Sequence, residues 1–295
     1  MASLTDLSRD IAALVERCGP SVMTVDARRG RAATGVVWAE NTVLTAAHTL
    51  EHEDEIKVLV GTNSTAASVV GRDSGTDLAL LKVDGLSAQA AARGKSSDMR
   101  PGHLVLAVGR PGQLQVTLGI VSGMSGAYRS WRGSQVERLI ETTAELLPGF
   151  SGGPLLDAEG RVIGINSWNF GRGLSRALPI ETVERVVDSL RTHGRIRRAY
   201  LGVGTQPVRL ADALATQLGQ ATGLLVVTVE PGGPAANAGF LQGDTIVSID
   251  GDAIRQLDDL FNAVRRLEVG STHTLRAIRA GELKDLRVTV TERAS

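Results

Sequence analysis

The segment Pro148-Gly149-Phe150-Ser151-Gly152-Gly153-Pro154 decides how the rest of the chain is interpreted. A serine flanked by glycines can present its hydroxyl group on a tight turn, where bulky neighbours would block a substrate. Backbone N–H groups of the same turn can converge on one point, as stabilisation of an oxyanion requires. Glycine-rich turns that contain a serine are common, so this segment needs support from elsewhere in the chain.

Two further segments supply that support. Val43-Leu44-Thr45-Ala46-Ala47-His48 places a histidine at the end of an apolar run, and Thr76-Asp77-Leu78-Ala79-Leu80-Leu81 places an aspartate just before one. A serine hydroxyl is a poor nucleophile unless a base takes its proton, and a histidine base works best when a buried carboxylate holds its tautomer. The three residues follow the trypsin-like order His, Asp, Ser.

These motifs resemble those of the HtrA (Deg) family of serine proteases, and the resemblance covers nearly the whole chain. Family members carry T-x-x-H, D-[LI]-A-[VL]-L-K and G-N-S-G-G-P, which here read Thr45–His48, Asp77–Lys82 and Gly149–Pro154. Further matches are Leu118–Ser122, Gly164–Asn166 and Arg198–Val203.

The resemblance implies a role for each catalytic residue. Ser151 is expected to attack the peptide carbonyl, with His48 as general base and then general acid. Asp77 would orient the imidazole and stabilise the imidazolium. The backbone N–H groups of Gly149 and Ser151 would form the oxyanion hole.

Four positions depart from the family pattern. Phe150 and Leu147 each replace an Asn, Thr143 replaces an Asp, and Glu145 replaces a small residue. The departures leave the triad intact and concern the resting shape of the oxyanion loop and the specificity pocket. Phe150 in particular is expected to border that loop.

The resemblance also implies substrate-binding residues. A strand Ser167-Trp168-Asn169 is expected to pair with the substrate backbone, although Trp168 has simple core packing as an alternative. Glu145 is expected at the floor of the specificity pocket, with Arg176 on its wall. We expect the two side chains to pair, which leaves room only for small aliphatic residues in the pocket; an unpaired Glu145 would instead favour Arg or Lys.

Short apolar runs separated by glycine, aspartate and serine predict antiparallel strands from Ser21 to about Pro179. Their spacing fits a barrel or a sandwich, and the family resemblance implies two antiparallel β-barrels with the active site between them, followed by an α+β PDZ domain. A helix is predicted over Ile180–His193, ending at Gly194. The expected domains are residues 1–196, with an amphipathic N-terminal helix in 1–20, and residues 197–295.

The C-terminal segments Pro234–Phe240, Gly243–Ile246 and Ile249–Gly251 resemble the PDZ core of the same family. In such domains a peptide C-terminus adds as a strand beside a helix, here expected over Leu257–Leu267, and backbone N–H groups bind its carboxylate. The expected carboxylate loop is Tyr200, Leu201, Gly202 and Val203. A structural appendage that binds nothing is the alternative.

Composition limits the class of partner. The 32 Lys and Arg residues balance 32 Asp and Glu residues, so net charge gives no reason to expect nucleic acid. No apolar stretch reaches the roughly 18 residues of a membrane span. Charged residues interrupt the N-terminus, so no signal peptide is predicted, and the chain as given is expected in the cytoplasm. Removal of a leader would instead indicate the cell envelope or periplasm.

The sequence also contains residues for two other chemistries, a zinc site and a reactive cysteine. His48-Thr49-Leu50-Glu51-His52 matches the zinc-protease signature H-x-x-E-H, but a further carboxylate ligand and a long helix would be required. No metal or other cofactor is therefore expected. Cys18 is the single cysteine, which excludes an intrachain disulfide, and buried packing is its expected role.

The expected function is ATP-independent endoproteolysis of unfolded or damaged proteins, with C-terminal peptides recognised or acting as regulators at the PDZ groove. A catalytically weak PDZ scaffold or chaperone-like binder is the alternative. Family members form homotrimers through aromatic N-terminal segments. Because residues 1–20 contain no aromatic residue, a homotrimer is left open.

Overall fold

A computed structural model describes residues 3–27, 30–52, 55–61, 63–126, 128–129, 135–136, 138–171, 173–196 and 199–292. The chain divides into two compact units, Met1–Ile196 and Arg197–Ser295. Arg198, which begins one of the family motifs, lies outside the described residues.

The first unit begins with a helix and a closed, six-stranded antiparallel barrel. Helix α1 spans Leu4–Cys18 and starts with a capping box, in which the side chains of Ser3 and Asp6 each accept the backbone N–H of the other. The barrel order is β1-β2-β3-β6-β5-β4. Its strands are β1 (Val22–Asp26), β2 (Ala33–Ala39), β3 (Thr42–Ala46), β4 (Ile56–Val60), β5 (Asn63–Asp73) and β6 (Leu78–Lys82).

A second closed barrel follows, with the order β11-β14-β13-β12-β7-β8. A two-stranded ribbon, β9 and β10, interrupts it after β8. The strands are β7 (Leu104–Gly109), β8 (Gln115–Ser125), β9 (Tyr128–Arg129), β10 (Gln135–Val136), β11 (Leu139–Thr142), β12 (Pro154–Leu156), β13 (Val162–Asn166) and β14 (Ser175–Pro179). The predicted double antiparallel barrel is confirmed.

Helix α2, Ile180–His193, packs on the barrels through the apolar face that its periodicity predicted. Val183, Val186, Val187 and Leu190 are all buried. The helix ends where Gly194 adopts φ +70°, a left-handed conformation that suits glycine. Cys18 is half-buried at the end of α1 and packs against the core, as the sequence predicted. Desolvation raises the pKa of its thiol.

The second unit is an α+β domain. One sheet has the order β16-β17-β18-β20-β21, with β19 paired to β18, and β15 pairs with β22. The strands are β15 (Ala199–Tyr200), β16 (Val203–Arg209), β17 (Thr222–Val229), β18 (Thr245–Ile249), β19 (Asp252–Ala253), β20 (Thr272–Arg279), β21 (Glu282–Thr289) and β22 (Thr291–Glu292). The helices are α3 (Asp212–Leu218), α4 (Pro234–Asn237) and α5 (Leu257–Arg266). The predicted α+β fold is confirmed.

An ion pair joins the neighbouring strands β18 and β20 at one end of this sheet. Asp244 is almost fully buried before β18, and its two carboxylate oxygens each accept a 2.7 Å hydrogen bond from the Arg279 guanidinium. Burial alone raises the pKa of Asp244, but Arg279 and the N–H of Leu241 outweigh it and hold the pKa below its ordinary value.

Among the described residues, no helix is long and apolar enough to cross a membrane.

Candidate active site

His48 and Asp77 come together at one end of the first barrel. His48 lies in a 3₁₀ turn, Ala47–Thr49, directly after β3, and Asp77 lies between β5 and β6. The Asp77 carbonyl accepts the N–H of Ala47 at 3.0 Å. Because β3 and β6 are neighbours in the barrel, the two turns lie side by side, and this backbone contact holds them together.

The Asp77 carboxylate contacts the histidine twice. Its Oδ1 accepts the backbone N–H of His48 at 2.9 Å, and its Oδ2 lies 2.7 Å from His48 Nδ1. Asp77 is buried, whereas the His48 side chain is 24% exposed. A carboxylate at this distance favours a hydrogen on Nδ1, which leaves Nε2 as an acceptor facing outward.

Ser167 completes the surroundings of Asp77. Its hydroxyl donates to Asp77 Oδ2 and accepts the N–H of Asn169. The sequence pointed to Ser167 as a substrate-binding residue, and the structure adds this contact with the buried carboxylate. No local motif announces it, because the two residues are 90 positions apart.

Ser151 opens onto the same cleft as His48. The cleft has a volume of about 250 Å³ and is lined by Arg31, His48, Pro148, Gly149, Ser151 and Trp168. Ser151 Oγ accepts the backbone N–H of Trp168 at 3.2 Å. Within the described residues it makes no hydrogen bond with His48, so the structure brings the serine and histidine to one cleft without joining them.

The turn around Ser151, residues 148–154 (the nucleophile turn), contains two N–H groups that could bind an oxyanion. Those of Gly149 and Ser151 donate to no acceptor in the part of the chain that the structure describes, whereas the N–H of Phe150 donates to the Leu147 carbonyl. Gly152 has φ +86°, and a Cβ there would lie 2.2 Å from the Thr34 carbonyl oxygen. Only glycine fits at this position, which explains the small residue after the serine.

Phe150 lies in the oxyanion loop between Gly149 and Ser151, but its side chain does not line the cleft. Its side chain is fully buried in the second barrel, with Leu147 partly buried against the same cluster. The ring lies over Gly109, where a Cβ would approach it to 2.2 Å. The residue faces inward because an apolar ring gains more from burial in the barrel than from exposure at the turn.

The expected pairing of Glu145 with Arg176 is wrong. Arg176 donates to Glu141 Oε1 from Nε at 3.0 Å and from Nη2 at 2.6 Å, and Glu145 is exposed. The register of β11 against β14 places Glu141 directly opposite Arg176, whereas Glu145 lies beyond the end of β11. A cross-strand neighbour is the nearer partner.

The expected strand Ser167-Trp168-Asn169 is also wrong. Strand β13 ends at Asn166, and residues Trp168–Phe170 form a 3₁₀ turn. The turn is held by the Ser167 hydroxyl at its start and by Arg176 Nη1, which donates to the Phe170 carbonyl at 2.6 Å. Trp168 is 48% exposed, so core packing does not explain it.

The zinc signature does not form a helix. His48 lies in a single 3₁₀ turn that ends at Thr49, and His52 is an exposed loop residue after it. The two histidines therefore do not share a helix face, which that signature requires.

The second unit holds the loop expected for peptide recognition. Leu201 is buried between β15 and β16, and Gly202 has φ +76°. The N–H groups of both residues donate to no acceptor among the described residues, while their carbonyls accept from Ala235 and Glu230 respectively. The loop therefore offers two backbone donors that lack an acceptor among the described residues.

Another Ser–His–Asp contact, absent from the sequence interpretation, occurs in this unit. His273 Nε2 lies 2.6 Å from Ser271 Oγ, and its Nδ1 lies 2.6 Å from Asp250 Oδ2. However, the Ser271 hydroxyl donates its only hydrogen to the Glu268 carbonyl at 2.6 Å. A hydrogen bonded to this carbonyl is not available to His273 Nε2, as a serine nucleophile would require. The contact is structural.

Comparisons with known proteins agree with both units. The chain matches the family models described as trypsin-like peptidase domain over residues 33–165 and as PDZ domain over residues 199–290. A probable periplasmic serine endoprotease DegP-like from Halomonas elongata is 36% identical, over 89% of this chain and 56% of that protein. The chain thus spans about half the length of the curated relatives it matches first.

Two further proteins are matched over most of their own length. The putative serine protease HhoB of Synechocystis is 30% identical, over 92% of this chain and 76% of that protein. A structure of the HtrA-type protease AlgW with tripeptide superposes with a TM-score of 0.78 at 32% identity, covering 96% of this chain and 97% of that one. The chain therefore belongs to the HtrA family of serine proteases, with a trypsin-like domain followed by one PDZ domain.

Proposed function

We propose that this chain is an ATP-independent serine endopeptidase that cleaves unfolded or damaged proteins. The observation that carries the proposal is the double contact of buried Asp77 with His48, at a cleft that His48 and Ser151 line together. The names of the relatives, a serine endoprotease and a serine protease, support the same reaction.

Each residue has a defined step. Ser151 Oγ attacks the carbonyl carbon of the peptide bond while its proton passes to His48 Nε2. Since Ser151 Oγ accepts from Trp168 N–H, its own hydrogen stays available for this transfer. The N–H groups of Gly149 and Ser151 bind the oxyanion, and Asp77 stabilises the imidazolium. His48 then protonates the leaving amine, and water releases the acyl group by the same steps.

Two neighbours of the triad have supporting roles. The indole of Trp168 is half-exposed on the wall of the cleft, so it is available to contact the substrate. The Ser167 hydroxyl donates to Asp77 Oδ2, the same oxygen that contacts the imidazole, which makes Ser167 a positioning residue as well.

Labelling with a fluorophosphonate tests the proposal. We expect one adduct per chain, mapped by mass spectrometry to Ser151, and complete loss of cleavage of reduced, carboxymethylated casein. Cleavage before labelling should need no ATP and should persist in EDTA, because the nucleophile is a side chain. Heat-unfolded protein, in which the turn is lost, serves as the unlabelled control.

Two outcomes would contradict the proposal. Inhibition by EDTA that zinc reverses would assign the reaction to a metal site that includes His48 and His52. A chain that neither reacts with fluorophosphonate nor cleaves casein, yet binds C-terminal peptides, would be the PDZ scaffold.

The proposal extends to organisation and location. We assign residues 1–196 to the peptidase domain and residues 197–295 to the PDZ domain, which the two family matches support. The first curated relatives are named periplasmic, which favours the periplasm for this chain. Assembly as a homotrimer rests only on the family resemblance, and sedimentation equilibrium tests it.

We further propose that the loop of Tyr200, Leu201, Gly202 and Val203 binds the C-terminal carboxylate of a peptide. The N–H groups of Leu201 and Gly202, which donate to no acceptor among the described residues, supply the donors, and α5, which lies against β15 and β16, carries the exposed Phe261. A free carboxylate is the ligand that such donors favour.

Peptide affinity provides the measurement. In fluorescence anisotropy, a peptide with an apolar C-terminal residue should bind at least about 10-fold more tightly as the free acid than as the amide, because charge-assisted hydrogen bonds are lost. Gly202→Ala should weaken the acid. Gly219→Ala is the matched control, since both glycines have positive φ and Gly219 lies outside the loop. Equal affinity for acid and amide would favour a structural appendage.

A further inference from the structure

Thr34, on β2 of the first barrel, holds the nucleophile turn of the second barrel at two points. Its hydroxyl donates to the Gly149 carbonyl at 2.6 Å, and its backbone N–H donates to the Ser151 carbonyl at 3.3 Å. The segment around Thr34 carries none of the motifs that identify the family. Its position opposite the nucleophile turn arises only from the packing of one barrel on the other.

The hydroxyl has no freedom to turn elsewhere. It has one hydrogen, which goes to Gly149, and it accepts the N–H of Arg110 at 2.8 Å. Thr34 is fully buried, so no water competes for these bonds. The carbonyl of Thr34 in turn accepts the buried Thr45 hydroxyl at 2.7 Å, which anchors β2 to β3 at this level.

These contacts bracket the peptide that carries the Ser151 N–H. That peptide joins Phe150 to Ser151, and the carbonyls of the peptides before and after it are the two that Thr34 holds. Because each peptide is planar, fixing both neighbours leaves little rotation for the one between them. The Gly149 N–H is restrained by the same bond, since Gly149 is held in a φ of +95° with its carbonyl pinned.

We propose that Thr34 is a positioning residue for the oxyanion hole, and this inference rests on the proposed peptidase function. Its hydroxyl keeps the N–H groups of Gly149 and Ser151 aimed at the oxyanion before substrate arrives. Preorganised donors act on the transition state, and a buried hydroxyl cannot touch the substrate. Thr34 therefore affects kcat and leaves KM unchanged.

Three variants test this role. Thr34→Val keeps the shape of the side chain but leaves the Gly149 carbonyl and the Arg110 N–H unpaired, while Thr34→Ser keeps the hydroxyl. Thr142→Val is the matched control, because the buried Thr142 hydroxyl also donates to a carbonyl, that of Ile120, and accepts an N–H, that of Ala144. Among the described residues, the Thr142 side chain makes no hydrogen bond with the nucleophile turn, so its loss tests the general cost of removing such a hydroxyl.

Peptide hydrolysis should separate the variants. We expect kcat to fall about 30-fold in Thr34→Val with KM within about twofold, a smaller loss than removal of one oxyanion donor. Thr34→Ser should recover to within about threefold of the parent chain, and Thr142→Val should stay within about twofold. The affinity of a peptide aldehyde, which forms the oxyanion, should fall in parallel with kcat.

A second measurement does not depend on activity. Backbone hydrogen exchange of the peptide covering residues 148–154 should accelerate about 10-fold or more in Thr34→Val and remain unchanged in Thr34→Ser and Thr142→Val. If the parent chain shows no cleavage, the proposed function fails while this exchange still tests the restraint. Unchanged kcat, a raised KM alone, no rescue by serine, or unchanged exchange in Thr34→Val would each overturn the inference.

Discussion

Cleavage of unfolded casein should fall at least 10,000-fold, and up to about 1,000,000-fold, when Ser151 is replaced by Ala. The substitution removes only the oxygen that would form the acyl bond. Ser151 is buried among small residues, so alanine fits without disturbing the turn. Rates are measured at saturating substrate by release of fluorescent fragments, and thermal unfolding verifies that the variant is folded.

Ser96→Ala is the matched control for this loss. Ser96 is as buried as Ser151, and its hydroxyl donates to the Glu181 carboxylate. Neither Ser96 nor Glu181 lines the cleft. Its removal should lower stability slightly and leave kcat within about twofold. Substantial cleavage by Ser151→Ala would contradict the assignment of the nucleophile, and a Ser151→Ala, Ser271→Ala double variant would then test the contact around His273.

Replacement of Asp77 by Asn should lower kcat about 10,000-fold while KM stays within about threefold. Asparagine presents an N–H₂ group as well as an oxygen. If its amide nitrogen faces His48 Nδ1, the histidine hydrogen must move to Nε2, where it blocks proton transfer from Ser151. If its oxygen faces Nδ1 instead, the negative charge that stabilises the imidazolium is still lost.

Steady-state kinetics of Asp77→Asn need a control for the loss of a buried carboxylate. Asp157→Asn provides it, because Asp157 is equally buried but binds Arg161 and the N–H groups of its own turn in the second barrel. We expect Asp157→Asn to lower the free energy of unfolding and to keep kcat. A similar loss of kcat in both variants would show that Asp77 acts only through folding.

Much of the fold follows from local patterns. The spacing of Val183, Val186, Val187 and Leu190 predicted the buried face of α2, and Gly194 predicted its end. In the second unit, the helix expected over Leu257–Leu267 forms from Leu257 to Arg266. Such features can be read from sequence because helix periodicity and chain termination depend on neighbouring residues.

The environments of individual side chains near the cleft could not be read in this way. Phe150 is next to the nucleophile in the sequence, but its ring packs inside the second barrel because Gly109 leaves room for it there. Arg176 pairs with Glu141 because the register of β11 against β14 sets them opposite each other. A one-residue shift in register would have changed the partner.

The sequence by itself indicated short strands and, through motifs that resemble the HtrA family, the two barrels, the PDZ fold and the group His48, Asp77 and Ser151, because strand patterns and short motifs are properties of adjacent residues. Only the tertiary structure decided which groups hold that site in shape. Thr34 reaches the turn at Gly149 across 115 positions, and Ser167 reaches Asp77 across 90. Their hydrogen bonds exist only after the barrels close and pack, since closure brings distant backbone and hydroxyl groups within 3 Å and removes the water that would compete with them.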